Sequence, residues 1–337
     1  MADRPDSSPD GKLPPLADPI ASGLAAGWKV LDGSTLADGA TIDCDVVIVG
    51  TGAGGGVAAE ILSVAGLNVV MIEEGPLKSS RDFHMRETEA YPSLYMESAA
   101  RKTADKAINI LQGRCVGGGT AVNWTSSFRT PDTTLEVWVR ENGLTDFTPE
   151  ALAPWFARME QRLSIAPWKV PPNANNQALA VGAQAIGIRW GAIRRNVRGC
   201  WNLGYCGMGC PTNAKQSMLV TTIPAALDRG ATLIKGTRAL RIVHGGGRVT
   251  ALQCAGLDRS GIAPGPSRFT VRAATFVTAA GAIGSPALLL RSAVPDPHRL
   301  VGKRTFLHPS LVSAAPSPSG VELLRQGLPD GLWLDDG

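Results

Sequence analysis

The sequence predicts an α/β fold of the Rossmann type, and three stretches of the chain support this. The first is an apolar, β-branched run at residues 46–49, followed by a glycine turn, a helical stretch and a second apolar run at residues 69–72. The second is an apolar run that leads into three successive glycines at residues 117–119. The third is a short strand at residues 275–281, which runs into a turn that opens a helix. Strands that alternate with helices are typical of α/β domains.

The first glycine turn has the spacing G-x-G-x-x-G, at Gly50, Gly52 and Gly55. Gly50 allows a tight turn, Gly52 has no side chain to hold the backbone away from a pyrophosphate, and Gly55 lets the helix pack closely on the strand. The helix that begins here offers free N–H groups to phosphates. Glu73 ends the second strand, where a carboxylate can bond both ribose hydroxyls. In this order the elements predict a Rossmann-type nucleotide site rather than a plain glycine-rich loop.

The second glycine cluster indicates which nucleotide binds. Three successive glycines expose backbone N–H donors, which can hold a second anion or wrap an extended ligand. FAD is long and carries a bulky isoalloxazine, whereas a simple nicotinamide enzyme has little use for such a surface. Without that context, a glycine cluster is more often a flexible loop.

The third element is the turn and helix from Gly281 to Ser292. Ser285 is the predicted N-cap, and Pro286 then lies in the first turn, where a missing N–H is tolerated. Alone, this pattern indicates a capped helix. Its combination with the two glycine clusters is specific.

Together these blocks resemble the glucose-methanol-choline (GMC) family of flavin oxidoreductases. The resemblance covers residues 43–309 and includes a V-G-x-x-x-x-x-H-P segment at residues 301–309. Two mild departures are Ala293, where the family has glycine, and the displaced aromatic Phe128. The resemblance implies FAD bound across the Rossmann unit, with Glu73 on the adenosine ribose and with Gly281 and Ala282 closing the floor. It also implies that the second block runs along the pyrophosphate toward the flavin, where the residues expected to contact the cofactor are Arg114, Gly117, Gly118, Gly119, Thr120 and Asn123.

The same resemblance implies an activity. The family oxidises the CH–OH group of an alcohol by hydride transfer to flavin N5, while a histidine takes the hydroxyl proton. We expect that histidine to lie beyond the end of this chain, so the catalytic residue is unknown. None of the four histidines lies in a segment like the family's catalytic block, and His308 is the only tempting candidate; the four are His84, His244, His298 and His308.

The tail at residues 313–337 has no clean helix or strand period, and truncation or a shifted frame would explain it. The sequence therefore predicts an FAD-dependent alcohol dehydrogenase or oxidase that is truncated. Two alternatives stay open. One is an inactive flavin-binding remnant, and the other is a dehydrogenase that passes electrons through an iron–sulfur cluster to a membrane or cytochrome acceptor.

The cluster alternative depends on three cysteines spaced C-x5-C-x3-C, namely Cys200, Cys206 and Cys210. Some GMC-like dehydrogenases bind a cluster through three cysteines. The other interpretation is a loop whose cysteines pack or pair, and no metal site is predicted with it. Residues 211–217, which read P-T-N-A-K-Q-S, resemble the subgroup with long-chain alcohol oxidases and related bacterial dehydrogenases. This favours an apolar or bulky alcohol.

Composition excludes several other classes. The net charge of +4 is spread over 337 residues without a basic run, so nucleic acid is not expected as a partner. We find no apolar stretch near the roughly 20 residues of a membrane span and no hydrophobic signal core. The expected location is therefore cytoplasmic. Neither the particular alcohol nor the electron acceptor can be deduced from the sequence.

The predicted organisation has three parts. Residues 1–40 form an N-terminal extension that ends in a short helix. Residues 41–312 form a discontinuous FAD-binding domain, in which residues 131–214 are an insertion, helical at first and then a loop. Within this domain, residues 232–243 and 249–255 are expected to form a hairpin around the three glycines at 245–247. The tail follows, so a substrate domain is missing or only begun.

Overall fold

The computed structural model describes residues 16–306, together with the backbone of residues 332–335. The helices are α1 Pro19–Ala25, α2 Ala53–Val64, α3 Glu87–Leu94, α4 Gly119–Val122, α5 Asp132–Asn142, α6 Pro149–Arg162, α7 Ala174–Ala185, α8 Thr222–Asp228 and α9 Gly281–Arg291. The strands are β1 Lys29–Asp32, β2 Ala40–Val49, β3 Val69–Ile72, β4 Ile165–Pro167, β5 Arg189–Ala192, β6 Arg194–Asn196, β7 Thr232–Lys235, β8 Thr237–Gly245, β9 Arg248–Leu257, β10 Pro264–Thr278 and β11 Leu332–Asp335. The described tail strand β11 pairs with β5.

A seven-stranded sheet in the order β1-β7-β3-β2-β10-β9-β8 organises the chain. Its first five strands are parallel, and β10, β9 and β8 pair antiparallel. The strands come from residues 29–72 and 232–278, so two distant segments build one sheet. The predicted α/β fold with a Rossmann-type parallel sheet is therefore confirmed.

The centre of the sheet is buried on both faces, as the apolar runs predict. All four residues at positions 46–49 and all four of β3 are buried, and Val46 lies opposite Val69. Helix α2 packs between β3 and α8, and Ala59 on α2 is fully buried there. Because parallel strands have their carboxyl ends at one edge, the turns that follow β2 and β3 meet at that edge.

The N-terminal segment adds more to the domain than the predicted short helix. Helix α1 is confirmed, and it begins at the Asp18 carboxylate, which accepts from the N–H groups of Ile20 and Ala21. Trp28 then donates its indole N–H to Asp228 of α8 at 2.7 Å. Strand β1 follows and forms the edge of the large sheet. The division of the chain at residue 40 stays a prediction.

Two strands differ from the sequence prediction. The run at residues 232–243 was expected as one arm of a hairpin, but Gly236, with φ of +59°, divides it into β7 and β8. Strand β7 enters the parallel centre, whereas β8 and β9 form the expected hairpin around Gly246 and Gly247. The strand expected at residues 275–281 begins much earlier, at Pro264, because its first half pairs with β9.

The predicted start of the third-block helix is wrong. Helix α9 begins at Gly281, and its N-cap is Ala280. The left-handed φ of +75° at Gly281 turns the chain directly from strand to helix. Ser285 lies within the helix, where its hydroxyl accepts from the Ala280 N–H at 3.0 Å. Pro286 is consequently an interior helix residue.

The insertion at residues 131–214 is helical first, as predicted, with α5 and α6. It then adds the short antiparallel pair β4 and β6 before the cysteine-bearing loop.

None of the helices in the described part of the chain is both long and apolar enough to cross a membrane. His308 and most of the tail at 313–337 lie outside the described residues.

Candidate cofactor site

The two predicted glycine turns meet at the carboxyl edge of the sheet. We define the first turn as residues 50–55 and the second turn as residues 117–123. A Cβ atom added to Gly118, whose φ is +53°, would lie 2.7 Å from the Cα atom of Gly52. The two backbones therefore touch without side chains between them, although the segments are far apart in sequence.

The glycines of the first turn are required for different reasons. A Cβ on Gly55 would lie 1.9 Å from the Gly50 carbonyl oxygen, and a Cβ on Gly50 would lie 2.5 Å from the Ala279 carbonyl oxygen. These two glycines are therefore required by the packing of strand, turn and helix. A Cβ on Gly52, in contrast, would meet its nearest atom at 3.9 Å. The protein itself does not require glycine at position 52.

Glu73 lies behind the two turns in a buried hydrogen-bond network. One carboxylate oxygen accepts from the N–H and the hydroxyl of Thr51, at 3.1 and 2.6 Å, and the other accepts from the Gly75 N–H at 2.9 Å. The Thr51 hydroxyl also accepts from the Gly117 N–H at 3.1 Å. Burial raises the pKa of the Glu73 carboxyl, and the Thr51 and Gly75 donors act against that rise. Thr51 thus couples Glu73 to the second turn.

Sequence reasoning did not identify Thr51. It occupies the first x of G-x-G-x-x-G, a position that the fingerprint leaves unspecified. The signal that could have identified Thr51 is its hydroxyl group, which can donate to the acid at the end of the second strand and accept from a backbone N–H of the second glycine cluster.

The surface next to these turns fits a diphosphate cofactor. Ala53, Gly54 and Gly119 are exposed, and so is Asn123 at the end of the second turn. The first N–H groups of α2 have no acceptor within their own helix, so they are available to a bound anion. Glu73 already accepts three hydrogen bonds, and since a carboxylate can accept about four, about one more remains for a ligand. The residues present therefore fit FAD.

Arg114 is held by another charged group. Its Nε donates to the Glu74 carboxylate at 2.9 Å, and Arg238 of β8 donates to the same oxygen at 2.7 Å. Burial would raise the pKa of Glu74, but Arg238 and Arg114 outweigh it and hold that pKa below its usual range. This trio connects the start of the second block to the hairpin. Whether Arg114 also contacts the cofactor stays a prediction.

The remaining predicted contacts lie around the second turn. The Thr120 hydroxyl donates to the Gly117 carbonyl at 2.6 Å and accepts from the Met218 N–H at 3.0 Å, so it fixes the turn. Gly281 and Ala282 are exposed at the start of α9. A Cβ on Gly281 would come within 4.0 Å of the Gln112 side chain, which places the third block beside the second.

Two buried cations lie beyond the second turn, and sequence reasoning did not identify either. Arg195 is fully buried; its Nε donates to the Thr125 hydroxyl at 2.7 Å, and its guanidinium stacks 4.9 Å from the centre of the Trp168 ring. Lys215 is also buried, and its ammonium donates to three backbone carbonyls. Arginine and lysine are rarely buried, so a sequence pattern built on apolar residues does not predict them inside.

The three cysteines of the insertion are free thiols. Burial raises the pKa of Cys200 and of Cys206. Within residues 16–306, no group of three or more Cys, His, Asp or Glu side chains is arranged to hold a metal ion. The iron–sulfur alternative built on Cys200, Cys206 and Cys210 therefore gains no support from the geometry.

Two of the histidines have clear structural contacts. His84 bonds Glu89 at 2.6 Å on the surface, and His244 of β8 bonds the Ser292 carbonyl at 3.0 Å.

A cavity of about 570 Å³ opens in the insertion, next to Trp168, Arg194 and Arg195, rather than at the glycine turns.

Comparison with known proteins assigns the family. The GMC oxidoreductase family profile matches residues 91–310. Long-chain-alcohol oxidase FAO4B from Arabidopsis thaliana is 31% identical over 277 residues, which are 81% of this chain and 37% of that protein. The uncharacterized GMC-type oxidoreductase y4nJ from Sinorhizobium fredii is 31% identical over 291 residues, or 86% of this chain and 56% of that protein. The chain thus spans between about a third and a little over half of these relatives.

Solved structures agree on the fold. Pyridoxine 4-oxidase from Mesorbium loti aligns with a TM-score of 0.58 at 21% identity, covering 74% of this chain and 52% of that one. A formate oxidase aligns with a TM-score of 0.54 at 15% identity, covering 76% and 48%. With the family match over residues 91–310 and the facing glycine turns before and within it, the chain belongs to the GMC oxidoreductase family, whose cofactor is FAD.

Proposed function

We propose that this chain provides the FAD-binding part of an oxidoreductase that converts the CH–OH group of an alcohol to a carbonyl. The observation that carries the proposal is the contact between the Gly52 and Gly118 backbones, with Glu73 connected to both turns through Thr51. Two glycine turns that touch without side chains between them, at the carboxyl edge of a parallel sheet, suit a long diphosphate cofactor.

Each predicted residue would then have a stated role. Gly52 and the start of α2 would face the pyrophosphate, and Glu73 would accept one hydrogen bond from the adenosine ribose at its remaining acceptor position. The second turn would continue toward the flavin, and Gly281 with Ala282 would close the floor. The bound flavin supplies the hydride acceptor. The chain's own contribution would be to bind it, orient it and exclude water.

An apolar alcohol is the substrate class that we propose. The support is the similarity to long-chain-alcohol oxidase FAO4B and the A-K-Q-S segment that ends at Ser217. We also propose that the proton acceptor is neither His84 nor His244, because their ring nitrogens bond Glu89 and the Ser292 carbonyl. The cytoplasmic location stays a prediction.

The test separates cofactor binding from turnover. Residues 1–337 and a version extended in frame from a related complete chain are purified, titrated with FAD, and assayed with a dye acceptor on short and long primary alcohols. We expect both forms to bind FAD at one per chain and the extended form to reduce the dye faster with long alcohols. Failure of both forms to bind FAD would overturn the cofactor role. Preference for short alcohols would overturn the substrate class.

A second arm concerns the base. If residues 1–337 alone reduce the dye, His308 becomes the suspected base, and His308→Ala must abolish that reduction while FAD binding is kept. Retained activity in His308→Ala would exclude that residue.

A further inference from the structure

Lys215 is a buried cation that the proposed function does not use. Only 2% of its surface is exposed. Its ammonium donates to the carbonyls of Ala121 at 2.9 Å, Asn123 at 2.7 Å and Cys206 at 2.6 Å. The first two acceptors belong to the second turn and the third to the cysteine-bearing loop, defined as residues 200–210. One side chain therefore joins the cofactor-facing backbone to the insertion.

The number of acceptors determines the charge state that this site needs. A charged ammonium has three N–H donors and no acceptor, so it satisfies all three carbonyls. A neutral amine has two donors, and its lone pair would face a carbonyl oxygen. Since the site excludes water, the third carbonyl would then be left without a donor. The geometry fits the protonated form alone.

The two carbonyls of the second turn have little other support. Helix α4 is a single turn, and Asn123 ends it with extended backbone. The Thr125 N–H donates to the Asn123 side chain rather than to its carbonyl. A positive charge at the carboxyl end of a helix is favourable because the free carbonyl groups there carry partial negative charge. Lys215 is thus placed to fix the direction in which the chain leaves the second turn.

We infer that Lys215 is a positioning residue whose ammonium holds the second turn against the cysteine-bearing loop, so that tight FAD binding requires Lys215 to be protonated. This inference rests on the proposed FAD site. It assigns no contact between Lys215 and the cofactor, and its effect is transmitted through the backbone at Ala121 and Asn123.

The surroundings of Lys215 shift its pKa into the mildly alkaline range. Burial lowers the pKa of Lys215 to about 8, and the groups that face it are the thiols of Cys206, Cys210 and Cys115 and the Arg195 guanidinium. Burial also raises the pKa of Cys206, and raises that of Cys115 to about 12. Because the pKa of Cys115 lies far above that of Lys215, the Cys115 thiol stays protonated while Lys215 titrates. Proton loss from Lys215 therefore removes a positive charge without a compensating change at that sulfur.

The first experiment measures the Kd for FAD against pH by flavin fluorescence, from about pH 6.5 to about pH 9.5. If the charged form alone binds well, Kd should rise about tenfold for each pH unit above the Lys215 pKa. Lys215→Arg keeps a charge throughout this range, so its Kd should stay flat with pH. Lys215→Met removes the charge, so its Kd should be raised about tenfold or more and also stay flat.

Lys215→Arg is the control for titration of the flavin and of other side chains. A rise in Kd that is equal in wild type, Lys215→Arg and Lys215→Met would overturn the inference. An unchanged Kd in Lys215→Met at neutral pH would overturn it as well. Loss of FAD binding by wild type at every pH would instead contradict the cofactor proposal.

A second measurement works without FAD and applies even if a variant binds none. Amide hydrogen exchange is followed by mass spectrometry in residues 119–125 and 205–210, with the strands β2 and β3 as internal reference. In Lys215→Met both segments should exchange at least about tenfold faster while the reference strands keep their protection. Unchanged exchange in both segments would show that Lys215 does not hold the turn. Equal acceleration in the reference strands would show a general loss of stability and would also contradict a local role.

Discussion

The first glycine turn and the insertion are held in place by opposite means. At the turn, backbone meets backbone, and the absence of side chains at Gly50 and Gly55 is what permits the contact. The insertion is instead joined to the rest of the domain by two buried cations: Arg195 within it donates to the Thr125 hydroxyl, and Lys215 just after it donates to the Ala121 carbonyl. The same candidate site is thus held together in two ways. On one side, glycines let backbone segments pack directly on each other, and on the other side, buried charged side chains bond the backbone.

The largest effect is expected where backbone contact leaves no room. Gly55→Ala places a Cβ 1.9 Å from the Gly50 carbonyl oxygen, and a backbone atom of the turn cannot move away cheaply. We expect the free energy of unfolding to fall by at least about 3 kcal/mol, and FAD to be lost with it. The matched control is Gly182→Ala on α7, where a Cβ meets nothing within 4 Å. It should stabilise by about 0.5–1 kcal/mol. Equal denaturation midpoints for both variants would contradict the packing argument.

The next effect is expected in the insertion. Arg195→Met removes the bond to the Thr125 hydroxyl and the stacking on Trp168. The free energy of unfolding should fall by about 2–4 kcal/mol in urea titrations, since hydrogen bonds from buried charged groups are the costly ones to lose. Exposed Arg198, which bonds the Gln216 side chain at 2.8 Å, provides the control Arg198→Met. A loss no larger than that of the control would show that the buried charge does not hold this region.

A smaller effect is expected at Glu74, whose carboxylate joins Arg114 of the second block to Arg238 of the hairpin. Arg238 and Arg114 hold the folded-state pKa of Glu74 below its usual value, so its stabilisation is present above that value and is lost as pH falls through the folded pKa. Glu74→Gln should lower the free energy of unfolding by about 1 kcal/mol at neutral pH. The difference from wild type should vanish in acid, where both side chains are neutral. Exposed Glu141 provides the control Glu141→Gln, and a Glu74→Gln difference that grows in acid would contradict the sign.

The sequence predicts the sheet and its turns better than it predicts the insertion, and the reason is physical. The left-handed φ of +96° at Gly50 and the close approach of Gly55 to the Gly50 carbonyl oxygen are local requirements for glycine. An apolar run such as residues 46–49 buries itself in any parallel sheet. The start of α9 was misplaced because Ser285 and Pro286 match a helix-start pattern, whereas the left-handed Gly281 already turns the chain. The single run at residues 232–243 was divided for a similar reason, at Gly236.

The polar partners could not be predicted in the same way. Thr51 and Lys215 act on residues that are far away in sequence, and a side chain gives no local sign of which distant carbonyl it will bond. Of the predicted contacts, the structure brings the two glycine turns and Glu73 together. It also places Arg114 on Glu74, which the motif alone did not indicate.

A substitution at Gly52 tests the central claim, which is that the first and second turns lack side chains at their contact so that a cofactor can bind there. The protein leaves 3.9 Å around a Cβ at this position, and the backbone φ of −68° suits any residue. Gly52→Val is purified beside wild type and Gly182→Ala, and the Kd for FAD and the free energy of unfolding are measured on the same samples. We predict a Kd raised by about a hundredfold, while the free energy of unfolding changes by less than about 1 kcal/mol. An unchanged Kd in a folded Gly52→Val protein would contradict the claim.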